Sequence, residues 1–113
     1  QRNSILLHPG RWLFEEGMDY YYGSNFKVVN EDRAQAMVES AALLGHPMAV
    51  AICLYRGKND NKGDLNDVKK AFALISAIDA IESYHWAEWC LGYMYRAGHA
   101  TTKSFPKAFE YLA

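Results

Sequence analysis

The residues whose type and spacing bear on function are aromatic and cationic rather than catalytic. Trp89, Tyr93 and Arg96 stand at i, i+4 and i+7, so a helix would set them on one face. Trp, Tyr and Arg dominate the energetics of protein interfaces, because each combines a large contact area with a polar tip. Reactive chemistry finds less support. The histidines are His8, His46, His85 and His99, and no two lie three or four apart, the spacing that would aim two rings at one metal ion from a helix. The cysteines, Cys53 and Cys90, form no Cys-x-x-Cys pair and sit in apolar stretches, where small buried thiols are expected. Cys90 is five residues from His85, which puts the two on different sides of a helix and gives no nucleophile–base pair. The carboxylate pairs Glu15–Glu16 and Asp60/Asp64 read as a solvated helix face and a loop. Gly57 and Gly63 do not have phosphate-loop spacing, and the Asp60–Asp67 stretch lacks the Glu that closes a calcium loop. No catalytic, cofactor-binding or metal-ligating set is expected.

Composition agrees with a globular chain of near-neutral net charge. The 113 residues are 50% hydrophobic and 14% aromatic, with a formal net charge of −1. That balance offers no electrostatic footprint for nucleic acid. The longest apolar run, Met48 to Tyr55, is too short to span a bilayer, so no membrane insertion is expected. Two cysteines are too few for a secreted disulfide scaffold, which weakly favours a cytoplasmic setting and leaves localisation otherwise unknown. The chain opens on Gln1 without a basic-then-apolar leader and closes inside a helical pattern. These ends predict either an internal piece of a longer protein or a processed form, and a helix cut there would leave Phe109 and Leu112 little to pack against.

The elements that position these residues follow from self-similarity. Lys70-Ala71-Phe72 recurs as Lys107-Ala108-Phe109, 37 places on, and Gln35-Ala36-Met37 stands 35 places before the first of these. Asp32, Asp67 and Ser104 each precede the Lys or Gln by three residues and are expected to cap helices. Gly17, Tyr20 and Gly23 repeat in the spacing of Gly92, Tyr95 and Gly98. The middle copy keeps Tyr55 and Gly57. The first Gly of each pair admits a close helix neighbour, and the second suits a left-handed helix end. The spacing predicts first helices over 11–22, 47–57 and 84–97, and second helices over 33–45, 68–82 and 105 to the end. Ala36, Val38, Ala41, Ala42 and Gly45 form a compact face, as do Ala71, Leu74, Ile75 and Ile78. No alternating run long enough for a sheet is present. A unit of this length cannot bury its apolar face alone, so stacked units are expected.

At these residues the chain resembles the Sel1-like repeat family, a relative of the tetratricopeptide proteins. The family pattern runs Ala-x-x-x-Leu-Gly-x-x-Tyr-x-x-Gly-x-Gly-Val-x-x-Asp-x-x-Lys-Ala, then an Ala-Ala pair and a Gly. Ala87, Leu91, Gly92, Tyr95, Gly98 and Lys107-Ala108 follow it, as do Gly17, Tyr20, Gly23, Asp32, Ala36, Ala41-Ala42 and Gly45. The loops after Gly23 and Gly57 are longer than the family loop, its Gly-Val is absent, and Ser104 replaces the Asp. The resemblance implies an all-α fold: one domain over 1–113, a right-handed α/α superhelix of about three repeats, over 11–46, 47–83 and 84–113, the last incomplete.

It also implies a non-catalytic scaffold or adaptor that binds other proteins or peptides, with no cofactor. Members act in signalling, in quality control of membrane proteins, or as regulatory partners of enzymes. A module that regulates or targets an enzyme or membrane complex from within a longer chain is the alternative. A hydrolase or small-ligand binder is a third, which a closed apolar pocket would favour. In helical-hairpin solenoids the first helix of each unit lines the concave surface. The expected binding face is therefore Trp89, Tyr93 and Arg96, with Phe14, Met18 and Tyr21, and Ala49, Cys53 and Arg56, at the equivalent places. Of these, Trp89, Tyr93, Arg96, Arg56, Tyr21 and Met18 are the candidate partner contacts. The competing expectation is that Trp89 and Tyr93 pack on a neighbouring unit. The oligomeric state is open.

Overall fold

A computed structural model describes residues 4–57 and 64–112, the side chain of Leu112 excepted. Asp60 of the carboxylate pair and the packing expected of Leu112 lie outside what is described. The described residues are all helical, without strands: a short 3-10 turn, Ile5–Leu7, precedes α1 (Arg11–Tyr22), α2 (Glu31–Leu43), α3 (Pro47–Arg56), α4 (Leu65–Ile81), α5 (His85–Ala97) and α6 (Phe105–Leu112). The contacts fall into two compact units, 1–53 and 54–113, with the boundary inside α3.

In the first unit α1 and α2 pair along small residues. Phe14, Gly17, Met18 and Tyr21 of α1 and Ala34, Val38 and Ala41 of α2 are buried. A Cβ on Gly17 would stand 2.8 Å from Val38 Cγ2 and 3.3 Å from the Ala34 carbonyl, so only glycine permits this approach. The small-residue face is thus shifted from expectation. Ala34 is buried where Ala36 was expected, and Ala36 is exposed. The helix begins earlier than the Asp32 cap implied: Asn30 Oδ1 accepts from the Arg33 N–H at 3.1 Å, and Asp32 lies in the first turn. The same correction applies to α4, where Asp64 accepts from the Asp67 N–H at 2.9 Å and Asp67 is itself helical. Ser104 does accept from the Lys107 N–H, at 3.3 Å. With the caps so placed, Arg33-Ala34, Lys70-Ala71 and Lys107-Ala108 correspond, and all three alanines are buried.

The loop after α1 and the loop after α5 close with the same bonds. Gly23 and Gly98 take φ of 70° and 76°, and the next N–H, of Ser24 and His99, returns to the carbonyls of Asp19 and Met94. This left-handed glycine with a six-to-one bond is the Schellman end. Farther on, the Asn30 N–H donates to the Tyr20 carbonyl and the Ser104 N–H to the Tyr95 carbonyl, each at 2.9 Å. The Tyr20 ring carries the Arg33 guanidinium 4.6 Å from its centroid, and the Tyr95 ring the Lys107 ammonium at 5.9 Å.

The turn between α2 and α3 buries a histidine. Gly45, at φ 84°, ends α2, and the His46 N–H returns to the Ala41 carbonyl at 3.1 Å. Pro47 then opens α3, where its missing N–H is no loss. His46 is fully buried, its ring stacked on Phe14 at 4.8 Å with the His8 ring edge-on at 5.1 Å. Its Nδ1 accepts from the Ala49 N–H at 3.2 Å, so the ring caps α3. Burial, aided by His8, lowers its pKa to about 4.

In the second unit Ala71 and Ile75 of α4, Ala87, Cys90, Leu91, Gly92 and Met94 of α5 and Ala108 of α6 are buried. Each large apolar side chain withdrawn from water contributes roughly 1.5–3 kcal/mol before ordering costs. Leu74, expected inside, is 36% exposed, and Phe109 is 70% exposed.

Candidate interaction face

Helix α5 is two-sided. Its buried row, Ala87, Cys90, Leu91 and Met94, runs at i, i+3, i+4 and i+7. Trp86, Trp89, Tyr93 and Arg96 fall within about 80° of one another on the helix wheel, away from that row. Trp86 and Trp89 are half-buried, and Tyr93 and Arg96 exposed.

The aromatic side chains form one continuous ladder. Trp86 meets Trp89 edge-on at 6.1 Å, and Trp89 lies parallel to Tyr93 at 5.9 Å with 3° between the planes. Tyr93 meets His99 at 5.7 Å, and the His99 Nδ1 is hydrogen-bonded to the Tyr55 hydroxyl at 2.5 Å. Each ring is fixed by the next, so the face is ordered before any partner arrives, which lowers the entropy lost on binding. The left-handed turn at Gly98 is what swings His99 back toward Tyr93.

Charge is distributed unevenly around the same helix. Arg96 has no carboxylate within ion-pair distance among the described residues. Arg56, at the end of α3, is half-buried, and its positive charge partly opposes the burial that pushes the Cys90 thiol up to about 12. The acidic groups gather elsewhere. Burial raises the Asp79 carboxyl, and neighbouring Glu88 adds to it. The Tyr111 phenol is raised by burial and by Asp79, Tyr95, Glu110 and Glu88. These acids mark the side of α5 that carries Glu88 and Tyr95, not the side of Trp89 and Tyr93.

The expected contacts therefore divide. Trp89, Tyr93 and Arg96 share one accessible stripe, whereas Arg56 is half-buried beside Cys90 of the buried row. Met18 is fully buried and Tyr21 only 9% exposed, so both belong to the packing of α1 and are withdrawn from the accessible set. Phe14 and Ala49 are buried as well, and Cys53 is half-buried. The reason is that α1 uses that face against its own unit: the i, i+3, i+4, i+7 row ending at Tyr21 is its core row. Sequence reasoning passed over Trp86, whose place three residues before Trp89 was a visible signal. Tyr55 stands in the sequence only as a repeat position and His99 has no expected role, because a turn-borne contact leaves no periodicity to find. Among the described residues no group of three or more His, Cys, Asp or Glu is placed to hold a metal ion. None of the described helices is long and apolar enough to cross a membrane.

These features define an all-helical protein with an ordered aromatic surface on its second unit. No family model, curated protein or solved structure matches the chain.

Proposed function

We propose that the chain is a protein–protein interaction scaffold built from three Sel1-like helical hairpins that coil into a right-handed α/α superhelix. The matched closures of the α1–α2 and α5–α6 loops support a repeated unit: a left-handed Gly, a Tyr carbonyl that accepts from the next helix cap, and a cation over the Tyr ring. The buried alanines Ala34, Ala71 and Ala108 support the same register, each 37 residues from the next. In this role the protein supplies surface and geometry, and takes no cofactor.

The observation that carries the functional reading is the parallel Trp89–Tyr93 stack beside the exposed Arg96. An ordered aromatic pair with a neighbouring guanidinium is the composition of an interface hot spot. The test is capture by wild-type protein against a Tyr93→Ala/Arg96→Ala variant of unchanged helical content. A bound protein should be retained by the first and lost from the second. Equal retention by both would remove this face as the binding site.

A further inference from the structure

We infer that the aromatic stripe of α5 recognises an acidic, extended peptide segment of a protein partner, which sets a carboxylate on Arg96 and lays its apolar side chains on the Trp89 and Tyr93 rings. This rests on the interaction reading above and adds the chemistry of the partner.

The argument is one of charge placed around a single helix. On the aromatic side stand Arg96 and the imidazoles of His85 and His99, and the α5 positions that share that face carry no carboxylate, Glu88 lying off it. On the other side Asp79, Glu88 and Glu110 surround Tyr111. A cationic segment approaching the stripe would gain from the acids only across the width of the helix, and would meet Arg96 at contact. An anionic segment meets the reverse. The guanidinium of Arg96 lacks a carboxylate of its own chain among the described residues, so a ligand carboxylate displaces only water. Guanidinium groups pair with carboxylates through two parallel hydrogen bonds, which fixes register as well as charge. The stripe runs from Trp86 to Arg96, about 15 Å along the helix, which suits four or five extended residues. A nucleic acid would also offer anions and stacking faces. It needs several cations to replace its counterions, and this stripe sits on a chain of net charge −1 with an acidic cluster one helix-width away.

The experiment is a displayed library of random peptides, about twelve residues long, selected on the full chain and counter-selected on the Tyr93→Ala/Arg96→Ala variant. Both substituted side chains are exposed, and circular dichroism checks that the helices persist. Enriched sequences should be rich in Asp and Glu around one or two apolar or aromatic residues. A synthetic peptide from that set should quench tryptophan emission in a Trp12→Phe background, where Trp86 and Trp89 report. Replacing its acids by Lys, or Arg96 by Glu, should weaken binding by about tenfold or more. Enriched peptides that need Tyr93 and Arg96 but carry no excess of acids would overturn this inference and leave the interaction reading standing. No peptide dependent on Tyr93 and Arg96 would overturn both. A single-stranded RNA of about twelve nucleotides that binds the stripe as tightly as the acidic peptide would also overturn it.

Discussion

The His46→Asn variant should remove a defined part of the pH dependence of stability. In the native chain His46 stays neutral because it is fully buried between Phe14 and His8. Its pKa is lowered to about 4, against about 6.5 in an unfolded chain. The folded form thus binds fewer protons than the unfolded form between those values. The stabilisation is complete above about pH 6.5 and is lost as pH falls from there toward about 4. The full difference is worth about 3 kcal/mol, and the part lost between about pH 7 and pH 5 is about 2 kcal/mol.

Burial of the ring carries most of that energy, and the neighbouring His8 adds to it. A proton on Nδ1 would cancel the bond accepted from the Ala49 N–H, and a cation there would face the positive end of α3. Asparagine keeps an oxygen able to cap the helix and does not titrate. It gives up the ring stacked on Phe14, so the variant should be less stable at neutral pH by roughly 1–3 kcal/mol. Urea unfolding followed by far-ultraviolet circular dichroism measures both proteins at about pH 7 and pH 5. Other titrating groups cancel in the difference. The gap between wild type and variant should narrow by about 2 kcal/mol on acidification. A gap that stays constant would refute the assignment of this acid sensitivity to His46.

Other substitutions test the packing. Gly17→Ala should destabilise by about 1–3 kcal/mol in thermal unfolding, since the added methyl meets Val38 at 2.8 Å. Gly45→Ala, with φ at 84° but open space around the Cβ, should cost only about 1 kcal/mol of backbone strain. Asn30→Ala should lower stability by about 1 kcal/mol while Asp32→Ala stays within about half of that, because only Asn30 caps α2. Cys53 should react with iodoacetamide in the native state well before Cys90, whose buried thiol is held up at about 12; mass spectrometry of quenched time points reads the order.

The helices were legible because punctuation marks them. Gly23, Gly45 and Gly98 all take positive φ at helix ends, and the expected spans differ from the observed ones by at most about three residues. Register was harder. Gln35-Ala36 resembles Lys70-Ala71 in type, yet Arg33-Ala34 holds the matching place, because a cap at Asn30 outweighs one at Asp32. Two neighbouring alanines on one helix cannot be told apart until the partner helix is known, and here Gly17 selects Ala34. The candidate face was half legible for the same reason. The pattern of α5 separates a buried row from Trp89, Tyr93 and Arg96, but the equivalent places on α1 are its core row, so Met18 and Tyr21 fall inside. The short 3-10 turn at Ile5–Leu7, capped by Ser4, is too brief to show periodicity. The stack of His46 with Phe14 and His8 is a tertiary fact with no sequence signature.

Photo-cross-linking from three exposed sites bears most directly on where this protein meets its partner. A benzophenone side chain would replace Tyr93, Phe26 or Phe109 in turn; all three are exposed, and only Tyr93 belongs to the ladder. The partner should cross-link from position 93 and not from 26 or 109. Adducts from 26 or 109, with none from 93, would contradict the assignment of binding to α5.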